Sequence, residues 1–183
     1  ALPESESQHW RSFFDRLCLS GRAGRWVREG KPTLWAAAER WSLLEAACPG
    51  GAGEAKPKLP PELAVPREEA ESVVALVRGR LEISGPISAD AIARALGLEE
   101  SAVKIALASL EGEGFAIQGR WSNDDGPQEF CSRRLLQRIH RLTLDGARKA
   151  VQAVPVETFW RFLAEHHHLA PAARREGRLG LHE

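Results

Sequence analysis

The chain has 183 residues, 43% of them hydrophobic and 27% charged, and its 25 basic side chains balance its 25 acidic ones. This composition is typical of a globular protein, and zero net charge excludes a chain that binds nucleic acid through overall charge alone. Because no apolar run approaches the roughly 20 residues of a membrane-spanning helix and no signal peptide opens the chain, we expect a cytoplasmic protein without a membrane partner.

Cysteine and methionine usage adds two expectations. The cysteines Cys18, Cys48 and Cys131 are far apart and form no C-x-x-C pair. We therefore expect neither a disulfide framework nor a structural zinc site, and a reducing compartment fits better. The sequence contains no methionine, even at its first position, so we expect a piece or a processed form of a longer protein.

Residues 1–48 predict a helix followed by a hairpin, an order that also fits the end of a preceding winged-helix module. Strand formers flank a turn with Gly30 and Pro32, and a short helix ends at Ala47. The first helix is expected over residues 7–19, where apolar side chains recur at helical spacing: Trp10, Phe13, Phe14 and Leu17. Residues 49–66, with five prolines and three glycines, predict a linker without regular structure.

Residues 67–131 predict a winged-helix domain. Ser88 is suited to cap the second helix and Gly97 to end it. Three helices followed by a β-hairpin are the winged-helix order, in which the second and third helices form a helix-turn-helix. The helices are expected over 67–81, 89–96 and 100–111, and the strands over 115–120 and 128–131.

Residues 132–183 predict a helical extension. The helix over 132–150 should present an apolar stripe (Leu135, Ile139, Leu142) beside a basic stripe (Arg134, Arg138, Arg141). A helix over 156–166 should turn Phe159, Phe162 and Leu163 towards a core. The whole chain is thus predicted to be mostly α with short β-hairpins, an α+β fold containing winged helix-turn-helix modules.

The charge distribution indicates where DNA would bind. Residues 67–118 carry 5 basic and 9 acidic side chains, whereas residues 119–150 carry 7 and 4. An Arg-Trp pair at the expected wing can stack on a base while holding a phosphate. The third helix offers one cation among four glutamates, which phosphates would disfavour. The candidate nucleic-acid-binding residues are Lys104, Arg120, Trp121, Arg133, Arg134, Arg138 and Arg141.

Each of these features also has a structural interpretation. The third helix can serve packing or protein contact, and the arginine stripe can be a solvated face that pairs with that acidic helix. The five tryptophans other than Trp121 are expected in the core. His166, His167 and His168 are consecutive and point about 100° apart on a helix, so we expect no metal site there.

No catalytic residue is assigned from the sequence. The chain lacks the G-x-x-x-x-G-K-[ST] phosphate loop, the G-x-S-x-G elbow and the H-E-x-x-H pair. It also contains no pair of carboxylates in a recognisable motif. The segment itself is therefore expected to hold no cofactor.

Three runs resemble the C-terminal region of the bacterial large helicase-related (Lhr) family. The specific one is CSRRLLQRIHRLTLDGARKAVQAVPVETFWRFL, from Cys131 to Leu163. The runs GPISADAIARALGLEESAVKIALASLEGEGFAIQGRW and LWAAAERWSLLEAACPG resemble the family's winged helix and the element before it. The resemblance covers roughly residues 20–178. The acidic pair Asp124-Asp125 departs from the family's basic or neutral wing.

The resemblance implies a DNA-binding or scaffolding region of an ATP-dependent DNA repair helicase. The motor domains would lie outside this segment, and ATP and Mg would be cofactors of the whole protein. Expected partners are single-stranded or forked DNA, other helicase domains and a second copy of the chain. Two alternatives stay open: a base-excision module, because this region of the family resembles a bacterial DNA glycosylase family, and a packing or oligomerisation module without DNA contact.

Overall fold

The computed structural model describes residues 2–151, 153–169 and 171. These residues form seven α-helices and two small antiparallel sheets, so the predicted α+β class is confirmed. No helix within them is long and apolar enough to cross a membrane. The chain divides into two units, Ala1–Ile139 and His140–Glu183. The four-segment domain division stays a prediction.

The first sheet lies near the N-terminus and has the strand order β1-β3-β2-β4. Its hairpin of β2 and β3 was predicted, and it places Arg25 opposite Trp35. Turns of 3-10 helix precede α1, which therefore begins later than expected. The elements are β1 (Leu2–Pro3), α1 (Arg11–Leu19), β2 (Ala23–Val27), β3 (Leu34–Ala37), α2 (Trp41–Ala47) and β4 (Ala52–Glu54).

Strand β4 shows that the expectation of no regular element over residues 49–66 is wrong at Ala52–Glu54. It pairs with β2, with Gly53 opposite Trp26. A Cβ at Gly53 would lie 2.8 Å from the Trp41 ring, and one at Gly51 would lie 2.5 Å from the Trp26 ring. Gly51 and Gly53 have no side chain to collide with the two indole rings that lie close to this backbone. Composition alone does not reveal this reason for the glycines.

The second sheet follows three helices and has the order β5-β7-β6. The Ala91 amide donates to the Ser88 hydroxyl oxygen over 3.3 Å, and Gly97 ends α4 with φ +63°, so both predicted helix boundaries are confirmed. The elements are α3 (Glu69–Ile83), β5 (Ile87–Ser88), α4 (Ala89–Leu96), α5 (Glu100–Gly112), β6 (Ala116–Gly119) and β7 (Glu129–Ser132).

One hydrophobic core joins the first sheet and α2 to the three helices that follow. Trp41 and Leu44 of α2 are fully buried in the same cluster as Val77, Leu81 and Leu107. Burying such side chains is the main favourable term in folding, at roughly 1.5–3 kcal/mol for each large aliphatic residue. Residues 26–48 and 73–116 are therefore stabilised together.

Two arginines tie the same regions together. The buried guanidinium of Arg80 donates to both carboxylate oxygens of Glu6, at 2.7 and 2.9 Å. Arg28 donates to the carbonyl oxygens of Leu96 and Gly97, at 2.7 and 3.0 Å. The last carbonyls of a helix lack partners within the helix, so Arg28 satisfies the end of α4 from the first sheet.

Helix α1 corrects one predicted core face. Of its side chains only Phe14 is buried, where it stacks on Trp35 with ring centroids 4.0 Å apart. Trp10, Phe13 and Leu17 were expected beside Phe14, but all three are exposed. The helical periodicity was interpreted correctly, but the described chain provides a packing partner for only the Phe14 side of the face.

Both C-terminal helices were predicted correctly as helices, and the core face expected for the second of them is wrong. They are α6 (Arg133–Ala150) and α7 (Val156–His166), and neither contains a buried residue. Leu142, Phe159 and Phe162 are exposed, and so is Trp160. Thus Trp26, Trp35 and Trp41 confirm the expected core position, whereas Trp10 and Trp160 contradict it. The end of the predicted extension, 172–183, lies outside the described residues.

Candidate nucleic-acid interface

The β6–β7 hairpin carries the most ordered polar cluster of the candidate surface. The Glu129 carboxylate accepts hydrogen bonds from the backbone amides of Trp121 and Ser122, both at 2.9 Å, and from the Ser122 hydroxyl at 2.7 Å. These bonds, the Ser122 hydroxyl first, hold the pKa of Glu129 below its ordinary value. Glu129 is therefore ionised at neutral pH and fixes the strand-to-loop junction.

Arg120 and Trp121 stand at this junction, as predicted. The indole lies against the backbone of Gly119, where an added Cβ would approach it to 2.6 Å. Trp121 remains 38% exposed, so part of its ring is open to a ligand. The Arg120 guanidinium is exposed and donates to the Asp124 carbonyl oxygen at 3.3 Å. Both side chains are therefore available for contact, although Asp124 and Asp125 share the loop.

Three of the predicted arginines, Arg133, Arg134 and Arg138, lie in the first turns of α6. The Leu135 amide donates to the Ser132 hydroxyl oxygen at 3.4 Å, which caps the helix. Arg133 donates from Nε to the Gly114 carbonyl oxygen at 3.0 Å and so helps hold the turn after α5. Arg134 and Arg138 line a cleft of about 410 Å³ that also contains Phe115 and the carboxylate of Glu82.

Arg134 and Arg138 keep their charges free. Within the described part of the chain, neither guanidinium has an ion-pair partner, and no ion pair joins Arg133, Arg134 or Arg138 to the acidic helix α5. Glu113 of α5 pairs with Arg78 of α3 instead. Arg141 is exposed and belongs to the second unit, which begins at His140. The DNA-binding role of each arginine stays a prediction.

Lys104 lies on a different kind of surface. Its ammonium pairs with Glu100 at 2.7 Å, one helical turn earlier on α5. It borders a cleft of about 500 Å³ between α4, α5 and the hairpin, whose other polar and aromatic lining side chains include Asp90, Glu100, Glu111, Gln118, Gln128 and Phe130. The lining is acidic, so this side of α5 repels phosphate.

The sequence did not predict this cleft, because the register of β6 against β7 decides which hairpin side chains line it. Gln118 stands opposite Phe130 in the β6–β7 ladder, which puts both side chains on one face of the sheet. Alternation within each strand was visible in the sequence, but the length of the loop left the pairing open. Among the described residues, no group of three or more histidine, cysteine or acidic side chains is placed to hold a metal ion.

Comparison with known families gives one match. A family model described as DNA glycosylase AlkZ-like matches residues 15–165. A search of curated proteins and a search of solved structures find no match. The matched range covers most of the chain and includes both clefts and the hairpin.

This match corrects the family inferred from the sequence. The resemblance to the C-terminal region of Lhr helicases is wrong, and with it the main prediction of a helicase scaffold. The helicase, ATP-binding and hydrolase roles lose their support, as do helicase domains and a second copy as partners. The base-excision alternative is the one that the match supports. The chain belongs to the AlkZ-like DNA glycosylase family.

Proposed function

We propose that the chain is a DNA repair module of the glycosylase type, which holds DNA along the β6–β7 hairpin and the first turns of α6. Membership of the AlkZ-like family supports the class of function. Three helices followed by an antiparallel hairpin, with Gly97 at the turn between α4 and α5, support a winged helix as its framework. DNA is the expected partner.

The unpaired guanidinium groups of Arg134 and Arg138 carry this proposal. An arginine that already pairs with a carboxylate gains little from a phosphate, whereas a free one can offer two parallel N–H donors to phosphate oxygens. The two side chains are four residues apart on α6, so they project from the same side of the helix. They are the strongest candidates for phosphate contact in the first unit.

The hairpin supplies a second contact at its other end. The two ends of strand β6, Ala116 and Gly119, are three residues and roughly 10 Å apart. Ala116 pairs with Ser132 beside α6, and Gly119 pairs with Glu129 beside Trp121. The ends of the strand are thus separated by about three nucleotides of rise along one strand of a duplex. Arg120 would hold a phosphate there while Trp121 stacks on a base.

Fluorescence anisotropy with a labelled duplex across a salt series tests the contact. Changing Arg134 and Arg138 together to Ala should reduce the slope of log affinity against log salt by roughly 1.8, about 0.9 for each phosphate contact. Lys104→Ala is the matched control and should leave the slope unchanged, because Glu100 already neutralises its charge. Equal slopes for the wild type and the double variant, or no binding at low salt, would contradict the proposal.

A second candidate function is base removal by this chain itself, favoured by the cleft between α5 and the hairpin. A glycosylase has to receive an extruded base between apolar or aromatic groups and read its edge through hydrogen bonds. Phe130 and the amides of Gln118 and Gln128 are suited to these roles. The volume of about 500 Å³ lies within the range of small-molecule sites.

Glu111 is the cleft carboxylate best placed for chemistry. Asp90 pairs with Arg94 and Glu100 pairs with Lys104, both at 2.7 Å, whereas Glu111 has no side-chain partner among the described residues. A free carboxylate can take a proton from water as the hydroxide adds to the sugar carbon. The electrons of the broken glycosidic bond leave with the base, which is then protonated.

Single-turnover base release from duplexes that contain uracil or an alkylated base tests this second function. Glu111→Gln should reduce the rate about 100-fold or more, since general base catalysis contributes roughly that factor. Glu62→Gln, which removes an exposed carboxylate outside both clefts, should leave the rate unchanged. Absence of base release by the wild type, with DNA binding intact, would restrict the chain to the DNA-holding role.

A further inference from the structure

We infer that α1 carries a second DNA-contact site, a platform on which bases of a single strand stack. The platform consists of Trp10, Phe13 and Arg16 at the start of the chain. It rests on the proposed DNA-binding function but uses residues of a different element from the β6–β7 hairpin and α6. Its ligand class is unpaired nucleotides, whose base faces are free to stack.

The exposure of the aromatic rings is the first observation. Trp10 is 50% exposed and Phe13 is 57% exposed, on the side of α1 next to Phe14, the one buried side chain of the helix. Trp10 is the residue that precedes the first turn of α1, and Phe13 lies within that turn, so the two exposed rings stand at the same end of the helix. Exposed aromatic rings are surfaces on which unpaired bases stack.

The second observation is a cation placed on one of these rings. The guanidinium carbon of Arg16 lies 4.9 Å from the centroid of the Phe13 ring, and Arg16 has no carboxylate partner in the part of the chain that the structure describes. A guanidinium held over a ring presents its own plane for stacking and its N–H groups for phosphate. The imidazole of His9 lies 4.3 Å from the Trp10 ring and extends the surface.

The acidic side chains near the platform either point away from it or are paired with arginines. Asp15 is the one carboxylate on α1, and helical geometry directs it about 160° away from Phe13. Glu4 is engaged by Arg25 at 3.3 Å and by Arg11 at 3.8 Å. The side of α1 that carries Trp10 and Phe13 is therefore neutral to positive, which suits a polyanion and disfavours a basic protein partner.

Neither the core nor the family match accounts for the two rings. Phe14 is the aromatic residue of α1 that stacks on Trp35 and anchors the helix. Trp10 and Phe13 both precede residue 15, where the AlkZ-like match begins. The two exposed rings therefore have no packing role in the core of the described chain.

Anisotropy of fluorescein-labelled oligodeoxythymidylate with the full chain tests the platform. Trp10→Ala should weaken binding about tenfold, because base–aromatic stacking contributes roughly that factor or more per base. Trp10→Phe keeps a stacking ring and should retain most of the affinity. Leu19→Ala is the matched control, since Leu19 is an exposed apolar residue on another side of α1.

Photocrosslinking provides a readout that does not depend on affinity. Oligonucleotides with 5-bromodeoxyuridine should crosslink to Trp10, located by mass spectrometry of the digested chain. A crosslink at Trp10, together with tenfold weaker binding by Trp10→Ala, supports the platform. Equal single-strand binding by Trp10→Ala and the wild type, or no single-strand binding at all, overturns it. Capture of a protein on α1 without DNA binding there also overturns it.

The outcomes separate this site from the proposed function. Loss of duplex binding on changing Arg134 and Arg138, with Trp10→Ala unchanged towards single strands, overturns the platform and leaves the hairpin and α6 as the DNA surface. Loss of single-strand binding with Trp10→Ala, but not with the Arg134 and Arg138 double variant, supports an independent site on α1.

Discussion

Helices α5 and α6 flank the same hairpin, yet they present opposite electrostatic surfaces. In the winged helix proposed above, α5 is the helix expected to read DNA, but its single cation, Lys104, is neutralised by Glu100. The start of α6 carries Arg134 and Arg138, which form no ion pair within the described chain, although Glu82 lines their cleft. From this comparison we expect the free charge, rather than the position in the fold, to decide which helix contacts DNA.

The largest expected effect tests whether α5 is a structural helix. Leu107 is almost fully buried in the shared core, so Leu107→Ala should lower the free energy of unfolding by about 2–5 kcal/mol. Lys104→Ala, three residues away on the exposed side, should change it by less than about 0.5 kcal/mol. Urea denaturation followed by tryptophan fluorescence measures both. Comparable losses from the two variants would contradict the structural role of this helix.

Replacing an acidic side chain of α5 by a basic one should make its electrostatic surface more like that of α6. Glu111→Lys replaces a carboxylate at the hairpin cleft by an ammonium. We expect tighter duplex binding and a slope of log affinity against log salt that is steeper by roughly 0.9, equivalent to one added phosphate contact. Glu62→Lys, which changes an exposed side chain outside both clefts, is the control for a charge change elsewhere. An unchanged slope for Glu111→Lys would mean that DNA does not pass near α5.

A smaller effect is expected at the tip of the hairpin. In Gly119→Ala the new Cβ would overlap the Trp121 ring, which it approaches to 2.6 Å, so the indole must move off the strand. Binding should weaken about fivefold, in line with the loss of roughly 1 kcal/mol of stacking. Gly126→Ala, in the same loop, is the control. A wild-type affinity for Gly119→Ala would show that Trp121 makes no contact with DNA.

The smallest effect is a local response to pH. The folded-state pKa of Glu129 is lowered, so its stabilising contribution is present above the ordinary glutamate pKa and is lost as the pH falls through the lowered value. Amide hydrogen exchange at Trp121 and Ser122, corrected for intrinsic rates, should stay slow at neutral and mildly acidic pH and accelerate below the ordinary glutamate range. In Glu129→Gln these amides should exchange faster already at neutral pH.

Local signals in the sequence were sufficient for most helices and for the hairpins. Ser88 and Gly97 mark the ends of α4 through their own hydrogen bonding and backbone preferences, which require no knowledge of distant residues. Strand β4 was missed because Gly51 and Gly53 are required by the close approach of the Trp26 and Trp41 rings, which are distant in the sequence. The exposed faces of α1 and α7 were misjudged because periodicity marks an apolar face without showing what covers it.

The candidate site was predictable in part for the same reason. Arg120, Trp121, Arg134 and Arg138 were found from composition and spacing, and their exposure agrees with that selection. The cleft with Gln118 and Phe130 was not found, because it depends on how two strands pair across a loop. The sequence also could not show that Arg134 forms no ion pair and that Lys104 does, since each outcome depends on the acidic side chains that folding brings nearby.

The core shared by α2 and the helices after it limits how this protein can be divided for study. A shortened chain that begins at residue 67 would remove Trp41 and Leu44 from their contacts and leave the α4 carbonyls without Arg28. We expect such a chain to aggregate on expression, because the loss of α2 would expose the apolar side of α3 that packs against it. Shorter versions intended for crystallography or NMR should therefore keep the N-terminal sheet.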